Sequence, residues 1–249
     1  MRFPKFRPVK QCIFCGNKAA SKEHGWSDWA LARFEHLNHQ IFGEIDGIAY
    51  HDPHQKQVLV KCVCIPCNTG WMKHLEDTIL PTVSCMMRNI TVTIDIPEQR
   101  AISRWATKTA MVWENVSRTT TPFYLFHDCD ALRLSGTIPP NTFIWLARHL
   151  GPQSFVTKGN PATGLLGDAQ VQALVTTFAY GYLVVQVVSL RSNANTNFVG
   201  VLHGELHRWE RHIIPIWPTS PHAAWPPKAT IGPADLDDFH TRMTRQRPR

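Results

Sequence analysis

Hydrophobic residues recur along the chain in two spacings, one typical of helices and one typical of strands. Over residues 69–80, and again from Pro97 to about residue 116, apolar side chains return every three or four positions, which predicts two amphipathic helices. Trp105 and Val112 belong to the apolar face of the second helix. Pro81 is expected to end the first helix, because proline lacks the amide hydrogen that an interior helical position donates.

Alternating and short apolar segments predict strands on both sides of the second helix. Ile90, Val92, Ile94 and Ile96 alternate with polar residues just before it. After it, segments separated by Gly, Pro and Asn predict further strands at residues 123–126, 142–146, 171–175, 178–190, 198–202 and 210–217. Their spacing favours an antiparallel meander, followed by a short closing helix at 233–243. The fold class expected from these elements is α+β.

Cysteine is distributed unevenly. Five of the seven cysteines precede residue 70, and the last, Cys129, stands alone. This predicts a cysteine-rich unit over residues 1–90 and a different unit, an α+β domain of unknown role, over residues 91–249. The expected boundary lies between residues 81 and 97. Positioning of DNA, binding of a partner and dimerisation are all open roles for the second unit, and the oligomeric state is also open.

The chemistry of these cysteines depends on the compartment. Their number is odd, and the basic start of the chain is followed by no apolar run of the length a signal segment needs. We therefore expect reduced thiols and a cytoplasmic location, where close cysteine spacing more often indicates metal binding than a disulfide. No apolar stretch approaches the roughly 20 residues that cross a bilayer, so no membrane partner is expected.

Two Cys-x-x-Cys pairs predict a metal site. Cys12 and Cys15 stand in CIFCG, and Cys64 and Cys67 stand in CIPCN. Four thiolates are the tetrahedral ligand set that structural Zn²⁺ prefers. The 48 residues between the pairs exceed the roughly 15 to 20 of a compact zinc ribbon, so an insertion is expected there. The remaining cysteines are expected to pack in the core as thiols: Cys62, Cys85 and Cys129.

Composition and charge narrow the partners only slightly. Hydrophobic residues make up 43% of the 249 positions and charged residues 18%, which excludes a disordered chain. The formal net charge of +7 favours a polyanion such as nucleic acid. Residues 1–79 nevertheless carry ten basic and eight acidic side chains, so charge does not locate a site.

The residues around the cysteine pairs resemble the HNH nuclease superfamily. Ser21-Lys22-Glu23-His24 follows the first pair, and Asn68 directly follows the second. The resemblance is to the phage-type junction-resolving branch, in which two Cys-x-x-Cys pairs brace a ββα-metal fold, an acidic residue and His lie between the pairs, and Asn follows the last Cys. It covers about residues 12–80. Glu23 stands where that family most often has Asp.

The resemblance implies a metal-dependent endonuclease that hydrolyses DNA. His24 would be the general base, since a neutral imidazole accepts the proton of a water at physiological pH. Glu23 and Asn68 would hold Mg²⁺ or Mn²⁺ through oxygen atoms, as hard cations require. His74 either joins this site or lies outside it, because a regular helix places it about 600° around from Asn68.

A non-catalytic reading also accounts for these residues. In a zinc-ribbon protein that binds nucleic acid or another protein, Glu23 and His24 would only cap or pack. Two groups of aromatic residues can likewise be interpreted in two ways, as core packing or as stacking on bases. They are the segment 26–37 and the tryptophans beside basic residues near the C-terminus, Trp209, Trp217 and Trp225.

Overall fold

A computed structural model describes residues 10–24, 29, 41–45, 48–52, 59–115, 122–158, 162–166, 169–194, 196, 198, 207–232, 235 and 238–240. Its strands are β1 Ser21–His24, β2 Ile41–Ile45, β3 Ile48–Asp52, β4 Leu59–Val63, β5 Val92–Thr93, β6 Thr142–Lys158, β7 Ala162–Leu166, β8 Ala169–Ser192, β9 Ile213–Trp217 and β10 Ala224–Trp225. Its longer helices are α1 Lys73–Met87, α2 Ile96–Glu114 and α3 Phe126–Ser135. A helical turn, Ile65–Cys67, and a π-helical turn, Asn68–Met72, lead into α1. This mixture of helices with mainly antiparallel sheets agrees with the predicted α+β class.

The main sheet is built around two long strands. β6 and β8 pair antiparallel along most of their length, and the order across the sheet is β3-β2-β6-β8-β7, with β9 also paired to β6. The register shifts between Arg148 and Gln153, opposite Gly181. Gly181 has a φ of +60°, which glycine adopts without the steric penalty of a side chain. The sheet can therefore bend at this point without losing its long pairing.

The insertion between the two cysteine pairs contributes to the same sheet. β2 pairs in parallel with β6, from Phe42 opposite Phe155 to Ile45 opposite Lys158. The large hydrophobic cluster likewise runs from Cys12 in the first pair to Trp225 near the other end of the chain. Sheet and core therefore both cross the predicted boundary at 81–97, and the division into two units stays a prediction.

Helix α2 confirms the predicted helix from Pro97. Its N-terminus is a capping box in which the Asp95 carboxylate accepts from the Glu98 amide (2.8 Å) and the Glu98 carboxylate accepts from the Asp95 amide (3.0 Å). The same cap shows why the strand predicted at 90–96 is mostly wrong. Only Val92–Thr93 is extended and paired, with β10, because the helix already begins at Ile96.

Helix α1 does not end at Pro81, so that prediction is wrong. Pro81 and Asp77, the residue whose carbonyl loses its helical partner, are both exposed, while Ile79, Val83 and Met86 anchor the opposite side of the helix in the core. Burial of that apolar side outweighs the cost of the proline, and the helix continues to Met87.

The strand predicted at 123–126 is also wrong. The amides of Phe123 and Tyr124 donate to the buried carboxylate of Glu114 rather than to a strand, and helix α3 begins at Phe126. Other predicted strands are present but differ in length. The segment 142–146 extends to Lys158, 171–175 and 178–190 form the single strand β8, and 210–217 contains β9. Most of 26–37, 198–202 and 233–243 lies outside the described residues, although 238–240 are helical.

The sheet is covered on both faces. Helices α1 and α2 pack against β8 on one face, and a second apolar cluster containing Trp209, Ile231 and Phe239 lies on the other. Trp209 and Trp225 are buried, which supports core packing over base stacking for these two. Among the described helices, none combines the length and the apolar character that crossing a bilayer demands.

A candidate metal centre and the residues beside it

The first cysteine pair lies in a tight turn. The amide of Gly16 donates to the Cys12 carbonyl (2.9 Å), and the amide of Cys12 donates to the Asn17 carbonyl (2.6 Å). Gly16 has a φ of +75°, a left-handed conformation that closes the turn and that glycine adopts readily. The glycine after CIFC thus allows the chain to fold back so that both thiols lie on one side.

The second pair lies where β4 ends and a helix begins. Cys64 precedes the helical turn Ile65–Cys67, in which Pro66 occupies an early position that needs no amide hydrogen. The amide of Asn68 donates to the Cys64 carbonyl (3.1 Å), which closes this turn. A bond of 3.0 Å from the Ile13 amide to the Cys62 carbonyl joins the two pairs.

These turns bring four thiols together. The Sγ atoms of Cys12, Cys15, Cys64 and Cys67 all lie within 4.8 Å of one another. The Cys15 and Cys64 Sγ atoms are 3.4 Å apart, and a tetrahedral zinc with bonds of about 2.3 Å needs sulfurs about 3.8 Å apart. The cluster is thus a possible site for a structural metal such as zinc. Cys62, Cys85 and Cys129 lie outside this cluster, and Cys62 and Cys129 are buried.

Burial and hydrogen bonding shift the pKa values of three of the four thiols. Burial raises the pKa of Cys12 and of Cys67. Burial acts in the same direction on Cys15, but hydrogen bonds from the Asn17 backbone and the neighbouring thiols outweigh it, so its pKa is lowered. Thiols that burial keeps protonated become thiolates when a divalent ion supplies positive charge, so the donor set fits zinc.

Aromatic packing covers one side of the cluster. Phe14, between the first two cysteines, is fully buried and meets the Trp71 ring edge to face, with centroids 5.0 Å apart. The Arg104 guanidinium lies over Trp71 at 5.3 Å. Trp71 belongs to the π-helical turn and Arg104 to α2, so three distant segments meet beside the metal ligands.

Glu23 on β1 belongs to a buried ion-pair network. Lys108 of α2 donates to Glu23 Oε1 (3.0 Å) and to Glu76 Oε1 of α1 (2.8 Å). The side chains of Lys108 and Glu23 are 2% and 7% exposed, so water screens this network little. Burial favours a lower pKa for Lys108, but the two carboxylates outweigh it and raise that pKa, so the lysine stays charged.

Asn68 lies against the same strand as Glu23. Its Nδ2 donates to the Ser21 hydroxyl (2.7 Å) and to the Lys22 carbonyl (3.4 Å). The nitrogen end of the amide is therefore engaged by β1, and the amide oxygen is directed away from Ser21. The structure thus brings Asn68 to the strand that carries Glu23 and His24, although 44 to 47 residues separate Asn68 from the residues of that strand in sequence.

The structure describes the two candidate histidines to different extents. The backbone of His24 ends β1 and pairs with Leu59 on β4, while its side chain lies outside what the structure describes. His74 is exposed in the first turn of α1. The π-helical turn and the irregular backbone of Gly70 (φ −97°, ψ −109°) interrupt the regular helix between Asn68 and His74, so the 600° expected from sequence does not apply.

Four exposed lysines lie on the two segments that contain the first cysteine pair and lead to the second. Over residues 10–24 and 59–64, the exposed charged side chains are Lys10, Lys18, Lys22 and Lys61. Glu23, the one acidic residue in those two segments, is buried against Lys108. Within these two segments the four lysines form a basic surface.

Lys108 is the residue of this region that sequence reasoning missed. It follows Trp105 by three positions and precedes Val112 by four, so it lies on the apolar face of α2. A charged residue on that face was the available signal, because a buried lysine requires an acidic partner.

No protein-family model matches this chain, and neither the curated proteins nor the solved structures include a significant match.

Proposed function

We propose that the protein is a metal-dependent nuclease of the HNH type, which hydrolyses phosphodiester bonds in DNA. The observation that carries this proposal is the bond from Asn68 to Ser21, because it brings the residue after the last cysteine to the strand of Glu23 and His24. The order of β1, β4 and α1 beside the four thiols also agrees with a ββα-metal unit. Such a grouping is what the resemblance of the sequence implied.

The proposed residues have distinct roles. Asn68 and Glu23 would hold Mg²⁺ or Mn²⁺ through the amide oxygen and the carboxylate oxygen that Lys108 does not occupy, donors that suit a hard cation. The ion would neutralise charge on the phosphate when bound. His24 would take the proton of the attacking water. The exposed lysines would contact phosphates, and His74 stays a candidate for the same task.

A cleavage assay tests this proposal. Supercoiled plasmid is incubated with the zinc-loaded chain, with and without Mg²⁺ or Mn²⁺, and nicked and linear products are measured. Replacement of a general base costs about 10²- to 10⁴-fold in rate, so His24→Ala should lose most of the cleavage. His207→Ala is the matched control, because His207 is 82% exposed on a short helix of residues 207–209. A folded His24→Ala chain that cuts at the wild-type rate rejects His24 as the base.

A non-catalytic zinc-binding module is the second candidate, and one observation favours it. The Glu23 carboxylate is buried and already paired with Lys108, a role that needs no metal ion and no reaction. The basic surface would then serve binding alone. Tight binding of duplex, branched or single-stranded DNA or of RNA, without cleavage of any of them in Mg²⁺ or Mn²⁺, would establish this candidate in place of the nuclease.

A further inference from the structure

A purely structural role does not fully explain the contacts of Lys108. A buried ion pair stabilises a fold little better than apolar residues of the same size, and Lys108 lies among apolar residues on its helix. Its ammonium bonds two carboxylates at once, Glu23 and the more exposed Glu76. A device for stability alone needs only one carboxylate to pair with the ammonium.

The contacts of Lys108 restrict how Glu23 can act. Its ammonium binds Oε1 of Glu23, which leaves Oε2 as the oxygen with which this carboxylate can meet another cation. Its second bond, to Glu76, ties the ammonium to α1, the helix that follows Asn68. Lys108, which belongs to α2, therefore connects the two sides of the proposed ion site, namely β1 and the helix that follows Asn68.

We propose that Lys108 is a positioning residue of the nuclease site, acting through Glu23 to limit it to one oxygen ligand and to set the net charge of the ion site. This inference rests on the proposed function. Lys108 places a positive charge 3.0 Å from the Glu23 carboxylate, which weakens the attraction of that carboxylate for a divalent ion. Without Lys108, Glu23 could bind the ion through both of its oxygens, and the position of the ion would shift. A shift of about 1 Å in a reacting group can cost on the order of 10²-fold in rate.

Three variants of the full, zinc-loaded chain separate these effects. Lys108→Met removes the charge and the bond, and Lys108→Arg keeps a cation. The double variant Lys108→Met/Glu76→Gln removes the bond to Glu23 but restores the net charge of the wild type, because one positive and one negative group are removed together. Each variant is assayed for Mn²⁺ binding by the loss of the free-ion electron paramagnetic resonance signal, for plasmid cleavage, and for folding by circular dichroism.

Lys108→Met should bind Mn²⁺ on the order of tenfold more tightly, because a nearby positive charge is gone, and should cut at least about tenfold more slowly. The double variant should bind Mn²⁺ within a few-fold of wild type and still cut slowly. Lys108→Arg should recover most of the rate. Tighter binding with slower cleavage is a combination that simple loss of structure does not produce, because an unfolded fraction lowers both.

The outcomes against the inference are distinct from those against the nuclease. Folded Lys108→Met with wild-type Mn²⁺ affinity and rate overturns the positioning role. If Lys108→Met does not fold, the Mn²⁺ affinity and cleavage rate of the double variant test the positioning role instead. If neither variant folds, Lys108 has a structural role only, and the inference is overturned. A wild-type chain that binds no Mn²⁺ and cuts no DNA overturns the proposed function itself.

Discussion

The amide nitrogen of Asn68 lies 2.7 Å from the hydroxyl oxygen of Ser21, across 47 residues of sequence. This bond fixes the start of the helical segment after Cys67 against β1. It also means that Asn68 has a structural contact that is independent of any ion. A test of Asn68 as a ligand must therefore remove its oxygen and its hydrogen bond separately.

Ser21→Ala and Asn68→Ala provide that separation. Both remove the bond between the two side chains and should each cost about 1 kcal/mol of unfolding free energy. Asn68→Ala alone also removes the amide oxygen, so it should abolish metal-dependent cleavage, whereas Ser21→Ala should keep most of it. Parallel plasmid assays and urea denaturation measure the two effects. Equal activity in both variants would reject Asn68 as a ligand.

Cys64→Ser should lose the metal and much of the stability. Structural zinc sites couple binding to folding, so we expect one fewer zinc per chain and a loss of several kcal/mol of unfolding free energy. Metal content by mass spectrometry and thermal unfolding check this. Cys85→Ser is the control, since Cys85 is a free thiol outside the cluster. A Cys64→Ser chain with full zinc content and unchanged unfolding would contradict the assignment of the site.

Glu23→Gln should destabilise the fold more than Glu76→Gln. Both replace a carboxylate that pairs with the Lys108 ammonium by a neutral amide, but the Glu23 side chain is 7% exposed and that of Glu76 is 18% exposed. Loss of the negative charge from a buried hydrogen bond to an ammonium costs about 2 kcal/mol, and water compensates more at the more exposed site. Urea denaturation at neutral pH measures the difference. The opposite order would show that Glu76 is the principal partner of the lysine.

The buried phenol of Tyr124 should make stability fall at alkaline pH. Burial raises its pKa, while its bond to Ser189 (2.8 Å) acts in the opposite direction but is the weaker influence. The folded chain therefore keeps the proton after the unfolded chain, near pH 10, has lost it. This contribution to stability is complete below about pH 10 and decreases by up to about 1.4 kcal/mol per pH unit above it.

Tyr124→Phe should flatten that decrease, and urea denaturation between pH 8 and pH 11 measures it. The variant should lose about 1 kcal/mol at neutral pH because the Ser189 bond is gone. Tyr182→Phe, at a half-buried position, serves as the control. Equal alkaline destabilisation of the wild type and of Tyr124→Phe would show that other groups cause the effect.

Sequence patterns predicted elements best where local signals agreed. Helix α2 has both an apolar face and the Asp95 capping box at its start, so its position was evident. Strand β8 was predicted as two strands because Thr176 and Thr177 interrupt its apolar run, yet both are buried and Thr177 accepts from Gln186. A polar pair in a chain normally indicates a turn, and contacts that depend on the tertiary fold make Thr177 compatible with the core, since its hydroxyl is also hydrogen-bonded to His240 (3.0 Å), 63 residues away.

The candidate site was predictable only in part, for a similar reason. Close spacing indicated the four cysteine ligands, because each pair is held by a local turn. The Lys108 network was not predictable from spacing, because the lysine lies 85 residues from Glu23 and 32 from Glu76. Its position on an apolar helical face signalled a buried charge, but the identity of the partners depends on the tertiary fold.

The parallel pairing of β2 with β6 sets an order for events on the ribosome. The four clustered thiols are all present once residue 67 has emerged, so the candidate metal site can close early. The partner of β2 is the segment from Phe155 to Lys158, which is translated about 90 residues later. β2, which lies between the two cysteine pairs, therefore cannot pair with β6 until that later segment has been synthesised. The main sheet is completed only after synthesis has passed well beyond the cysteine cluster.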